Sequence, residues 1–329
     1  MSFNPIYKLL DWIKVDDLDW DNLSNNPNAI SYLSQNLNLI NWTNLASNPN
    51  AVDLIEENIQ TLENDLYYYN FQLVCSRLCG NPNAIHLLKN PKIIIDWFNL
   101  SENPNAISLL EKNKKLINWN TLCYNTTAID LLENNKHLIN YAYLSENPNA
   151  IHLLNEKLEN IDWMWLSKNP GAISILEKNP KNIDWFYISE NSSAINIIEK
   201  NLDKINWRNL CRNPKAIHLL EKNLDKINWH RLSENPNAIS ILEKNLDKID
   251  WYGLSENPNA ISILEQNQDK IDWEQISLNP SIFIFDVNEM RKKCKDFAEE
   301  LAAYVFHPER LLSISKKYNI EFDVLLEIY

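Results

Sequence analysis

Any chemistry this chain performs has to come from its histidines, cysteines and carboxylates, and their spacing is the first thing to test. His86, His152 and His218 stand 66 residues apart and share one repeat position with Ser108, Ser240 and Ser262. That position reads as the exposed side of a short helix, and side chains so separated cannot ligate a single metal. His307 precedes Pro308 and reads as a helix start, not as a base. The five cysteines (Cys75, Cys79, Cys123, Cys211, Cys294) are odd in number, scattered and without a Cys-x-x-Cys pair, which predicts buried thiols in a reducing compartment. Carboxylates alternate with lysines, as in Glu243-Lys244 and Asp247-Lys248, the pattern of a solvated face. Three glycines (Gly80, Gly171, Gly253) leave no phosphate loop. No nucleophile, base and orienting group converge, so the expectation is a protein that is not an enzyme, with no metal and no cofactor.

Charge narrows the partners. With 44 acidic against 31 basic residues the 329-residue chain carries −13, a field that repels nucleic acid and anionic membrane surfaces. No stretch approaches the ~18 apolar residues of a membrane helix, and no secretory leader is visible. A protein partner is the expectation, with self-association possible.

Behind these residues lies a repeat. Asn-Pro recurs at Asn4, Asn26, Asn48, Asn81, Asn103, Asn147, Asn169, Asn213, Asn235, Asn257 and Asn279, and two further units keep Asn alone, at Asn125 and Asn191. This makes about thirteen units of 22 residues, with one spacing of 33 that places an insertion around 56–74 and predicts a kink or bulge there. In the unit from Ile249 to Asn267, Asp250 is an N-cap for a helix starting at Trp251, and the residue before proline must end it by Asn257. Asn257 then reads as the cap of a second helix with Pro258 in its first turn, and Asn267 as a left-handed C-terminal cap. Two such short helices cannot bury their own apolar faces, so the predicted fold is all-α: an α-solenoid of two-helix repeats over 1–282, followed by a C-terminal helical capping segment over 283–329. In that segment Asp286 and Glu289 predict a helix through Phe306, and Pro308 another to Asn319. A leucine-rich-repeat horseshoe shares the period, but Trp and Leu three apart fit helices better than strands.

The consensus Leu-Ser-Glu-Asn-Pro-Asn-Ala-Ile followed by Leu-Glu-Lys-Asn, as at 232–245, resembles the uncharacterised 22-residue Asn-Pro repeat proteins of giant DNA viruses of amoebae. The tail from Tyr304 to Leu312 and from Lys317 to Ile320 is similar to a C-terminal segment of such proteins. The resemblance implies a viral protein, in the host cytoplasm or the virion. It implies no activity.

Comparing units within the chain separates structural from surface positions. Trp holds its position in ten of twelve units, from Trp20 to Trp273, with Cys75 and Tyr141 the exceptions, and reads as core. Its N-cap drifts between Asp and Asn, as capping permits. The Asn before Pro does not drift, which predicts that both ends of its amide are used, as a structural ladder through Asn103, Asn147, Asn169, Asn213, Asn235 and Asn257. The two residues after each Trp vary and are rich in aromatic and Arg residues, and they read as free of packing. Phe98, Tyr143, Trp165, Phe186, Tyr187, Arg208, His230, Arg231 and Tyr252 are therefore the candidate protein-binding strip. The leading expectation is a protein–protein interaction scaffold; the alternative is a structural virion component, a spacer or self-assembling array.

Overall fold

The computed structural model describes residues 6–65, 68–292, 295, 304, 307, 309 and 310. It divides into two units, one of residues 11–282 and one formed by residues 1–10 with 283–329. The first is all-α and holds the repeats.

One repeat shows how the sequence builds it. Asp250 accepts from the Gly253 amide and starts the helix Trp251–Glu256. Asn257 then forms an Asx turn, its Oδ1 accepting from the Asn259 amide at 3.0 Å, while the Ala260 amide donates to the Asn257 carbonyl. Pro258 thus occupies the second place of a β-turn, where its fixed φ belongs, and the second helix starts only at Ile261. The expectation that Asn257 caps that helix directly is corrected: its side chain is spent on the turn, and no side chain caps Ile261–Gln266. Asn267 does not adopt the left-handed conformation either. It sits at φ −135°, and its Nδ2 donates to the Ile263 carbonyl at 2.8 Å, closing the helix by side chain. A 3-10 turn, Gln268–Lys270, then leads into the next unit.

The core of each layer is Leu254, Ala260, Ile263 and Leu264 with their equivalents, nearly all of them fully buried. The Trp column is not core: all ten tryptophans are half-buried. Trp opens its helix at the edge of the layer, and the inward place goes to the Leu three residues later. From Trp185 to Trp251 each ring is capped by the lysine that ends the turn leading to the next unit, as Lys248 over Trp229 at 5.0 Å.

Two polar ladders bind the layers. Asn257 is 1% exposed, and its Nδ2 donates to the carbonyls of Ser233 and Asn235 in the preceding unit, at 2.9 and 3.1 Å. The donation to the preceding unit recurs at twelve asparagines from Asn26 to Asn279. The second ladder is the buried Ser after the Leu: Ser233 Oγ donates to the Trp229 carbonyl and accepts from the Asp250 amide of the next unit. Cys79 and Cys211 stand in for it with sulfur as acceptor.

The ladders close on themselves. By register Asn26 would donate to residues 2 and 4, but its acceptors are the carbonyls of Ser277 and Asn279, each at 3.0 Å. The Asp19 amide likewise donates to Ser277 Oγ, Asn22 to the Glu274 carbonyl and Asn28 to the Pro280 carbonyl. The first described unit is thus the next neighbour of the last, and residues 11–282 form a closed ring of twelve units. The Asn-Pro of the remaining, thirteenth unit, at Asn4, lies outside the described residues. The core face of the last unit meets the first unit.

The insertion does not kink the ladder. Asn81 donates to the Ala46 and Asn48 carbonyls at 3.0 and 3.1 Å, the same pair of bonds that Asn48 and Asn103 make on either side. The extra residues instead lengthen two helices, Val52–Asp65 and Tyr68–Gly80, against four to six residues elsewhere.

In the second unit, strand β1 (Tyr7–Leu9) pairs antiparallel with β2 (Phe283–Phe285), and Tyr7 stacks on Phe285. The expected helix after Asp286 is described for 287–292, with Asp286 Oδ1 accepting from the Asn288 and Glu289 amides. Most of its continuation to Phe306, apart from residues 295 and 304, and most of the helix from Pro308 to Asn319 lie outside the described residues.

Candidate functional site: an aromatic and acidic groove

The closest packing between neighbouring units is between their Trp helices. A helix turns about 100° per residue, so the first residue after Trp faces outward while the second comes round toward the preceding unit. The two positions of the strip therefore differ. At the first, Phe98, Phe186 and Tyr252 are about half exposed and Arg208 is exposed. The second is packed in four units: Thr121, Asn209, Gly253 and Gln275 are buried there, and Thr121 Oγ1 and Asn209 Nδ2 donate to the Phe98 and Phe186 carbonyls of the preceding unit. The reading that both positions are free of packing fails at those four second positions, whereas Tyr143, at the second position of its unit, stays exposed.

The strip breaks into three parts. Phe98 and Tyr143, two units apart in sequence, line one groove of about 580 Å³. Trp165, Phe186 and Tyr187 form a cluster: Tyr187 lies 5.8 Å from Trp165 and 5.0 Å from Phe186, and Lys168 Nζ sits 5.5 Å from the Trp165 ring. His230 and Arg231 are engaged elsewhere, both reaching Glu234, with His230 also 3.1 Å from Asp250. Tyr252 stands outside these groups.

The groove contains residues that sequence reasoning passed over. Tyr124 lies between Phe98 and Tyr143 along the chain and meets Tyr143 edge to face at 5.3 Å. It occupies the repeat position that is Glu102, Glu146, Glu234 and Glu256 in other units, and that exchange was the available signal. Glu102 and Glu146 also line the groove. Glu146 pairs with Lys168 at 3.1 Å, whereas Glu102 has no ion-pair partner among the described residues. Burial and then the Glu146 charge push the Tyr124 hydroxyl above its ordinary pKa, so it stays a neutral donor.

Little else offers chemistry. His152 and His218 pair with Glu133 and Glu199 of the preceding units, at 2.6 and 2.8 Å, on an exposed face. Burial pushes the thiols of Cys79 and Cys123 up to about 11, and those of Cys75 and Cys211 in the same direction. Cys294 lies outside the described residues. Among the described residues no three His, Cys, Asp or Glu side chains gather as metal ligands, and no helix is long and apolar enough to cross a membrane. No family model, curated protein or solved structure matches this chain.

Proposed function

We propose that the chain is a non-enzymatic scaffold that captures a protein partner on the aromatic surface of its Trp helices. The observation that carries this reading is the cluster at Trp165, Phe186 and Tyr187: Tyr187 meets both of the other rings, and Phe186 is about half exposed. Large aromatics held at low conformational entropy are the anchors of protein interfaces. The high thiol pKa values support a binding role over a nucleophilic one. The repeat resemblance supports a viral or host partner met in an infected cell, in the cytoplasm or the virion. A spacer that grows end to end needs open ends, and the bonds from Asn26 to Ser277 and Asn279 occupy them, which favours the scaffold reading.

The test is capture of cross-linked partners by tagged protein during infection. Replacing Trp165, Phe186 and Tyr187 together by Ala abolishes capture with helical circular dichroism unchanged, and replacing Ser108, Ser240 and Ser262 leaves it intact. Undiminished capture of the same partners by the aromatic variant refutes the proposal.

A further inference from the structure

We infer that the groove lined by Phe98, Tyr124 and Tyr143 is a binding site for an arginine side chain on an extended segment of a partner protein. The inference rests on the scaffold reading and adds the chemistry of what is recognised.

Three observations lead to it. First, the walls are aromatic and open, Phe98 being 55% and Tyr143 38% exposed, and their faces are suited to a flat cation. Second, the fixed charge is net negative. Glu102 and Glu146 both line the groove, only Glu146 has a cation beside it, and Arg77, which lines the adjoining hollow with Glu102, stays beyond ion-pair distance. An anionic ligand is excluded by the same carboxylates. Third, the groove lies where the repeat departs from its own pattern. Tyr124 replaces the usual Glu, and Thr126 replaces the usual Pro. Together these leave a ring, a neutral phenol and open space where other units present a charge and a rigid turn.

Arginine fits this set better than lysine. A guanidinium stacks flat on a tyrosine or phenylalanine ring while its N–H groups fork onto a carboxylate, whereas an ammonium is a compact and strongly hydrated charge. The Tyr124 hydroxyl and the Nδ2 of exposed Asn120, whose Oδ1 already accepts from Asn140 Nδ2 at 3.1 Å, are left for the backbone of the bound segment. The volume of about 580 Å³ falls within the ~300–1,000 Å³ range of binding pockets and exceeds one side chain, consistent with an extended segment.

The experiment uses full-length protein and a blocked nonapeptide with a single central arginine among alanine and serine residues, read by saturation-transfer NMR on the arginine Hδ protons. Parent protein transfers saturation to those protons, about tenfold more weakly to the lysine peptide, and not to the alanine peptide. Glu102→Gln weakens binding of the arginine peptide about tenfold, Tyr143→Ala abolishes transfer, and the distant Glu243→Gln leaves it unchanged. Both groove positions are exposed, so folding is preserved and is checked by circular dichroism. Equal transfer to the arginine and alanine peptides, or Glu102→Gln binding like parent, overturns the inference. The two proposals fail separately. Arginine binding without any partner capture leaves the groove standing and removes the scaffold; capture that depends on Trp165, Phe186 and Tyr187 without arginine binding does the reverse.

Discussion

Asn235→Asp is the sharpest perturbation of the ladder, because it changes one NH₂ to one oxygen and nothing in shape. Asn235 is 1% exposed; its Nδ2 donates to the Cys211 carbonyl at 2.8 Å and the Asn213 carbonyl at 3.3 Å, and its Oδ1 accepts from the Asn237 amide at 3.0 Å. A carboxylate keeps the last bond and loses both others, and two carbonyl oxygens then face a negative charge. One good and one long hydrogen bond are together worth ~1.5–2 kcal/mol, and burying the unpaired acceptors adds ~1–3, so the loss at pH 7 is ~2.5–5 kcal/mol. The sign with pH follows. The buried carboxyl introduced at 235 has its folded pKa raised above the unfolded ~3.9, so the folded state holds the proton more tightly. The penalty is full above the folded pKa and shrinks as pH falls toward ~4, where the protonated carboxyl can donate one bond again. Urea denaturation of parent and variant at pH 7 and pH 4 measures both numbers. Asp272→Asn is the control: Asp272 only accepts from the Gln275 amide at a helix start, where Asn serves equally, and the expected change is within ~0.5 kcal/mol. Equal midpoints for Asn235→Asp and parent at pH 7, or a deficit that grows on acidification, refute the ladder as an energetic element.

Burial reverses the naive ranking of the two apolar columns. Leu232→Ala, at a fully buried site, costs ~3–5 kcal/mol, while Trp229→Ala, half-buried under Lys248, costs ~1–2, and thermal melts of the two variants check the order. In native protein at pH 8 a thiol reagent leaves Cys75, Cys79, Cys123 and Cys211 unmodified, as peptide mapping shows, and modifies all four in denaturant. Because the folded thiols of Cys79 and Cys123 are raised to about 11, the unfolded chain deprotonates first, and stability falls as pH rises from ~9 toward that value.

What the sequence revealed and what it hid divide along physical lines. The Asp/Asn caps before each Trp and the helix end before Asn-Pro depend on neighbours in the chain, and they stand where local rules put them. The strict Asn column pointed to a use of both amide ends, and Nδ2 and Oδ1 are both engaged at Asn235. Local rules failed where tertiary geometry decides. Trp is the largest apolar residue of the unit, yet its place at the first helical residue puts it at the edge, and the smaller Leu takes the interior. Asn257 and Asn267 could each cap in more than one way, and propensity alone did not choose. The exchange of Glu for Tyr at Tyr124 was visible in the repeat, but its meeting with Tyr143 depends on the spacing of Trp helices. Closure was the least legible feature, because it depends on the curvature summed over twelve units and no residue encodes it alone.

That closure is the central claim, and a distance between the first and last units tests it directly. Asp21 and Glu274 are exposed residues at the same repeat position, and the neighbour of Asp21, Asn22, donates to the Glu274 carbonyl. With Cys294 replaced by Ser, nitroxides at Asp21→Cys and Glu274→Cys are read by double electron–electron resonance in full-length protein. The closed ring predicts one narrow distribution centred below ~25 Å, the ~8–10 Å step between stacked helices plus the two label arms. An open stack of twelve units at that step separates the labels by roughly 90 Å, and a distribution without the short component contradicts the account.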